Sequence, residues 1–217
     1  MENITSFLAV YALPILLAIT LHEAAHAYVA KYFGDTTAYQ QGRMSLNPIR
    51  HIDLLGTILI PILLLVAGSP FLFGYAKPVP IDFSRLRRPK RDMAWVALAG
   101  PGANIVMAFL WTVLSIVLLA LNVQSDFVLR MADAGVMTNL VLFAFNLFPI
   151  PPLDGGRVLT SLLPNRYAYR FAQIEPYGFF IVLALVFFKV LQFWMTPLMM
   201  AASVVLQILV YPLNFLL

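Results

Sequence analysis

Residues 4–33 read ITSFLAVYALPILLAITLHEAAHAYVAKYF. The stretch is long enough to cross a bilayer's hydrocarbon core, which takes about 20 apolar residues. Yet it carries His22, Glu23 and His26 within five positions. An ionisable group at mid-bilayer costs about 2.5–3.5 kcal/mol on insertion scales. Three in little more than one turn call for a partner or a bound ion. The plain alternative is a helix that ends near Leu21 and leaves its polar end at the interface. On a helix with about 3.6 residues per turn, His22 and His26 share one face, one turn apart. At that spacing two imidazoles can grip one tetrahedral zinc ion. Glu23 stands about 100° round from His22, beside the ligands rather than between them. It is placed to act as a general base on an activated water.

Composition sets the rest of the chain in the same solvent. Of 217 residues, 61% are hydrophobic and 11% charged. Soluble domains run near about 45–50% apolar and about 25% charged. A water-soluble globule, a disordered chain and a nucleic-acid binder are excluded on that ground, and a polytopic membrane protein remains. There is no cysteine, so disulfides, thiolate nucleophiles and Cys-ligated zinc are excluded. A metal site must use the three histidines, His22, His26 and His51, with carboxylates. Met1-Glu2-Asn3 lacks a basic leader, so the first span is expected to stay in the mature protein.

Six apolar stretches follow one another: 4–33, 54–73, 93–121, 134–153, 177–195 and 196–217. If all six cross, the Lys and Arg residues divide 5 against 9 between the two sides. If 54–73 enters and leaves by one face, they divide 12 against 2, with only Arg130 and Lys189 opposite. The second arrangement obeys the positive-inside rule. Gly56, Pro61, Gly68 and Pro70 also suit a broken, re-entrant segment. The expected fold is an all-α polytopic membrane protein with five crossings and one re-entrant element at 54–73. Its N-terminus lies outside and its C-terminus in the cytoplasm. Residues 1–217 form one integral-membrane domain, with a core at about 4–156 and C-terminal helices at about 177–217. The basic run Arg85, Arg87, Arg88, Lys90 and Arg91 then sets topology and meets anionic lipid.

Two histidines leave zinc short of a ligand, since catalytic sites usually have three and an open position. Two candidates exist. Asp154 follows an apolar segment, behind the helix-breaking Pro149, Pro151 and Pro152 and before Gly155-Gly156. His51 lies in the polar stretch before Asp53, where gating, substrate binding or a structural part are the other readings.

HEAAH at 22–26, GPGAN at 100–104 and NLFPIPPLDGG at 146–156 together resemble the site-2 protease family of intramembrane zinc metalloproteases. The resemblance covers about residues 4–156. It is nearest to the compact subgroup with GRMSLNP, HID and GYAKPVP between the first two core helices and no PDZ or nucleotide-sensing domain. It implies that His22, His26 and Asp154 hold one zinc ion per chain and that Glu23 is the catalytic base. It places Asn146 near the reacting centre, as a donor to substrate backbone or oxyanion. It makes GPGAN a packing motif, without a part in catalysis. It also implies cleavage of single-span membrane protein substrates in or near the bilayer, in the cell membrane, from a site towards the cytoplasm. GYAKPVPID alternates enough to suggest an extended or hairpin element to which an unwound substrate adds as a strand. Two rival readings are a metal or ion transporter and a catalytically idle scaffold of the same fold. The first predicts metal flux through liposomes; the second predicts no turnover.

Overall fold

α1 (Ile4–Tyr32) runs 29 residues without a break, although Pro14 lies inside it. At about 1.5 Å per residue it exceeds the roughly 30 Å hydrocarbon core. The Pro14 side chain is fully buried, and neighbouring helices let a membrane helix tolerate proline. The computed structural model describes residues 4–60, 62, 63 and 77–216. The described residues form helices and loops and contain no strand. After the short α2 (Thr37–Gln40) come α3 (Pro89–Ala120), α4 (Asp126–Asn146), α5 (Asp154–Leu162), α6 (Asn165–Ala172), α7 (Glu175–Phe187) and α8 (Val190–Val210).

α3 is the axis of the bundle, packed mainly against α4, α1 and α5. The buried faces are built from small residues: Ala18, Ala24, Ala27 and Ala30 on α1, and Ala97, Gly100 and Ala108 on α3. Ala132, Gly135 and Ala144 do the same on α4. Lipid tails are as apolar as leucine, so close approach of small residues drives helices together where hydrophobicity cannot. At Gly135 a Cβ would stand in the ring of Trp111. The large side chains point the other way. Val106, Leu110, Leu114 and Val117 of α3, and Val204, Val205, Ile208 and Leu209 of α8, are exposed. An apolar exterior of this kind suits acyl chains. Among the described residues, four helices are long and apolar enough to cross a membrane, and α6 with α7, bent by 67°, make a fifth candidate span. The protein is an integral membrane protein.

The C-terminal end of α1 meets the N-terminal end of α3. The carbonyl of Phe33 accepts from the Arg87 amide at 2.9 Å. Ala30 and Phe33 pack with Leu86, Met93 and Val96. The chain between them therefore starts and ends at one end of the α1–α3 pair. Most of 54–73 lies outside the described residues. The part within them starts as a wide helical turn, Leu54–Leu59, capped by the Asp53 carboxylate, which accepts from the amides of Leu55 and Gly56.

Four expectations need correction. Residues 122–133 separate two apolar stretches and are expected as a short polar loop, but 126–133 belong to α4: Asp126 sits in its first turn and pairs with Arg130 at 2.9 Å. Polar residues at i and i+4 support a helix. The C-terminal break falls at Lys189, in the left-handed region at φ 59°, not near 195–196; Pro197 lies within α8. The 13 residues of α7 span only about 20 Å, too short to cross alone. The hairpin expected in GYAKPVPID is also absent from the described part, 77–82. Pro78 and Pro80 have no N–H to give to a ladder, and the Val79 amide is spent elsewhere. Residues 74–76 lie outside the described residues.

Loop 34–53 is stitched to 77–82. Buried Asp35 accepts from the amides of Thr37 and Asp82, at 2.9 and 2.8 Å. Arg43 donates to the carbonyls of Arg50 and Lys77. The Asp82 carboxyl is held below the usual carboxylate range, first by the hydroxyl and amide of Ser84 and then by Arg85. It caps the turn Phe83–Arg85.

Candidate metal centre and its cavity

His22 and His26 point from α1 towards α3, and both are buried. Each ring is fixed through Nδ1. His26 donates to the Val96 carbonyl at 2.7 Å. His22 meets the Asn104 Oδ1 at 2.6 Å. The Asn104 amide nitrogen donates to the Ala18 carbonyl and to Asn139 Oδ1. Its oxygen is therefore left to accept from His22. Asn139 in turn donates to the Gly135 carbonyl at 2.8 Å. Asn104 and Asn139 are fully buried. The chain of donors thus sets one tautomer for both histidines, with Nε2 bare.

Asp154 reaches the same point from the first residue of α5. The loop after Asn146 folds tightly under that helix. A Cβ at Gly155 would run into Leu147 and Phe148, and one at Gly156 into Ile150 and Pro151. The two glycines let α5 lie against the proline loop, which turns Asp154 inward.

Three ligand atoms converge. His22 Nε2 and His26 Nε2 are 3.1 Å apart. Asp154 Oδ2 is 3.2 Å from the first and 3.4 Å from the second. Ligands about 2.0–2.1 Å from a tetrahedral ion lie about 3.3 Å from one another. The triangle has the size of one face of such a tetrahedron. With both rings neutral and both Nδ1 protons in place, three lone pairs face each other, and Asp154 Oδ2 has no hydrogen-bond donor. A positive charge at that point, a metal ion or a proton taken up by an imidazole, turns that repulsion into attraction. The donor set of two imidazoles and one carboxylate suits zinc.

Glu23 lies on the same small cavity, of about 130 Å³, with Asn146, Val79 and Arg157 also on its wall. Its Oε2 accepts from the Val79 amide at 2.8 Å. Asn146 donates to the Leu142 carbonyl of its own helix at 3.0 Å. That bond uses one N–H of the amide, and the residue lines the cavity. His51 is elsewhere. It is buried in its loop, its Nε2 bonded to the Ser45 carbonyl at 2.8 Å, and does not join the His22, His26 and Asp154 group. The larger hollows, at Tyr169 and Ala172 and at Val29 and Trp95, are open and mostly apolar.

Sequence reasoning missed the groups that hold the ligands. Gly100 and Asn104 lie in the GPGAN motif, read only as packing, and Asn139 and the Val96 carbonyl were not singled out at all. One signal was present: Val96, Gly100 and Asn104 are spaced by four, so one face of α3 presents all three. Replacing Asn104 by Ala is expected to weaken zinc binding by about 10–100-fold, as loss of such outer partners usually does. A competition titration with a zinc chelator measures it.

The comparisons with known proteins agree with this geometry. A profile of peptidase family M50 matches residues 123–189. The chain is 40% identical over 185 residues to the "Putative zinc metalloprotease YwhC" of Bacillus subtilis, covering 83% of this chain and 81% of the relative. It is 31% identical over 200 residues to the "Putative zinc metalloprotease Rip2" of Mycolicibacterium smegmatis, covering 87% and 72%. The protein of the same description from Mycobacterium tuberculosis H37Rv is 29% identical over 82% of this chain and 67% of its own. No solved structure gives a significant match. A buried His-His-Asp triangle beside a glutamate, on a bundle of membrane helices whose relatives carry a metalloprotease description, identifies the chain as a member of peptidase family M50, the site-2 family of intramembrane zinc metalloproteases.

Proposed function

We propose that His22, His26 and Asp154 hold the zinc ion, that Glu23 is the general base, and that the substrate is a single-span membrane protein cut in or beside the bilayer. The observation that carries this reading is the ligand triangle sharing one cavity with Glu23. The chemistry a zinc ion supplies there is Lewis-acid polarisation of a peptide carbonyl and of water. Glu23 takes the proton of the attacking water and delivers it to the leaving amine, an exchange between groups in hydrogen-bond reach. The Val79 amide holds the Glu23 carboxylate at the cavity during that exchange. Asn146 offers its free N–H to the substrate carbonyl as charge develops on its oxygen. A transmembrane helix hides its peptide bonds, so the substrate must unwind to enter.

The site faces the cytoplasm in this reading, because most Lys and Arg residues fall on the side where α1 ends and α3 begins. The whole chain acts as one protease domain. His51 serves the loop that carries 77–82 towards the site. Its Lys77 contact, carbonyl to amide at 3.0 Å, supports that part.

Reconstitution tests the reading. Purified protein in liposomes with a tagged single-span reporter is expected to release a shortened fragment. Removing zinc with a strong chelator stops release, and adding zinc restores it. Zinc flux into protein-containing liposomes without any cleavage would favour the transporter instead. Bound zinc without cleavage of any reporter would favour the idle scaffold.

A further inference from the structure

Among the described residues, Arg157 is the one Lys or Arg side chain on the wall of the His22–His26–Asp154 cavity. It stands three residues after Asp154, about one turn along α5. Its guanidinium lies over the Phe83 ring, 5.0 Å from the centroid. One nitrogen, Nη2, donates to Glu175 Oε1 of α7 at 3.1 Å. Guanidinium has five N–H donors in a planar fork that matches a carboxylate. Only the bond to Glu175 is made among the described residues. The side chain is 30% exposed and that of Glu175 47%, so solvent screens the pair and its exchange costs little. The ring of Phe83 keeps the fork oriented whichever carboxylate it holds.

We propose that Arg157 is a specificity-determining residue, whose guanidinium exchanges Glu175 for an acidic side chain of the substrate near the scissile bond. The proposal rests on the proteolytic reading of the adjoining site. Glu175 is the resident occupant of the fork, and a substrate carboxylate is its competitor. Removing the fork and removing its occupant then act in opposite directions. A pair that only ties α5 to α7 would suffer alike from either change.

The test needs no turnover. Short fluorescein-labelled Leu-Ala-Gly peptides carrying Asp, Gln or Lys at their centre are bound to the zinc-loaded Glu23→Gln protein and followed by anisotropy. The background chain should favour the Asp peptide over the Lys peptide by about five- to tenfold, the range for a partly exposed charge-assisted bond. Arg157→Gln should erase the preference and Arg157→Glu reverse it. Glu175→Gln should tighten the Asp peptide severalfold. Zinc content should stay level in all four proteins, which guards against misfolding. Equal binding of Asp and Lys peptides in the background protein, or weakening by Glu175→Gln, overturns the proposal. The same charge series placed in a cleaved reporter should move KM rather than kcat. Charge-blind cleavage would sink this proposal and leave the protease standing, whereas no cleavage of any reporter would count against the protease.

Discussion

Replacing Glu23 by Gln is expected to leave one zinc ion bound per chain and to stop cleavage. The two halves of that result have separate causes. Zinc stays because the three converging atoms belong to His22, His26 and Asp154, and their outer bonds go to Val96 and Asn104, none of them to Glu23. Gln is nearly isosteric, and its amide oxygen still accepts the Val79 N–H, which now binds Glu23 Oε2 at 2.8 Å. The loop over the site therefore keeps its anchor. What Gln lacks is a basic oxygen for the water proton. General-base catalysis contributes about 10²–10⁴-fold, and here the same group also serves the leaving amine, so the loss should reach at least the upper part of that range. Metal analysis of the purified variant, with fragment release from the liposome reporter, checks both halves. Cleavage within a few-fold of wild type would remove Glu23 from the mechanism, and loss of zinc would mean that its carboxylate helps to hold the metal.

The outcome also separates what the sequence can say from what it cannot. The ligand pair was legible because His22 and His26 share a helix, and a helix has a fixed period. Asp154 needed a second kind of information, since spacing cannot join residues more than a hundred positions apart. Apolar context made it conspicuous, and the family motif made the choice over His51. The loop boundaries were less legible. Polar Asp126 and Arg130 fall outside the apolar stretch 134–153, and only their pairing across one turn shows that the helix includes them. The boundary between the apolar stretches 177–195 and 196–217 has no counterpart, because Pro197 lies within α8 and membrane helices tolerate proline. The true break at Lys189 depends on a left-handed backbone at a residue with no sequence mark for it.

The outer ring of the site was hidden for a related reason. A hydrogen bond from His26 to a backbone carbonyl leaves no trace in side-chain identity, because any residue at 96 would offer the same oxygen. Likewise the Val79 amide binds Glu23 by virtue of its backbone alone. The flanking Pro78 and Pro80 are the trace it does leave: they lack the donor, so 79 is the position that can give one. Asn104 and Asn139 were visible as polar residues in apolar helices. Such residues usually bond between helices, and here the first of them ends on the His22 imidazole.

The same outer ring predicts that two glycines of one motif differ sharply. Gly100→Ala should release zinc, and Gly102→Ala should not. A Cβ at Gly100 would stand 2.5 Å from His22 Cε1 and 2.6 Å from its Nε2, and would also meet His26 Nε2. Flexible side chains could swing aside, but these rings are held. Their Nδ1 bonds end on Val96 and Asn104, one turn of α3 before Gly100 and one turn after it. Backing the helix away breaks both bonds, and leaving it in place pushes both Nε2 atoms off the triangle. Metal affinity should fall by at least the roughly 10–100-fold typical of a lost outer partner, with overpacking costing about 1–3 kcal/mol of stability besides. At Gly102 a Cβ meets nothing within 4 Å, and the residue is exposed. Alanine there is the better helix former by about 0.8–1.0 kcal/mol, so its melting temperature should hold or rise. Zinc competition and thermal melts on the two variants read both effects. Equal behaviour would return the motif to helix packing alone, whereas the expected split makes Gly100 the floor on which the two imidazoles rest.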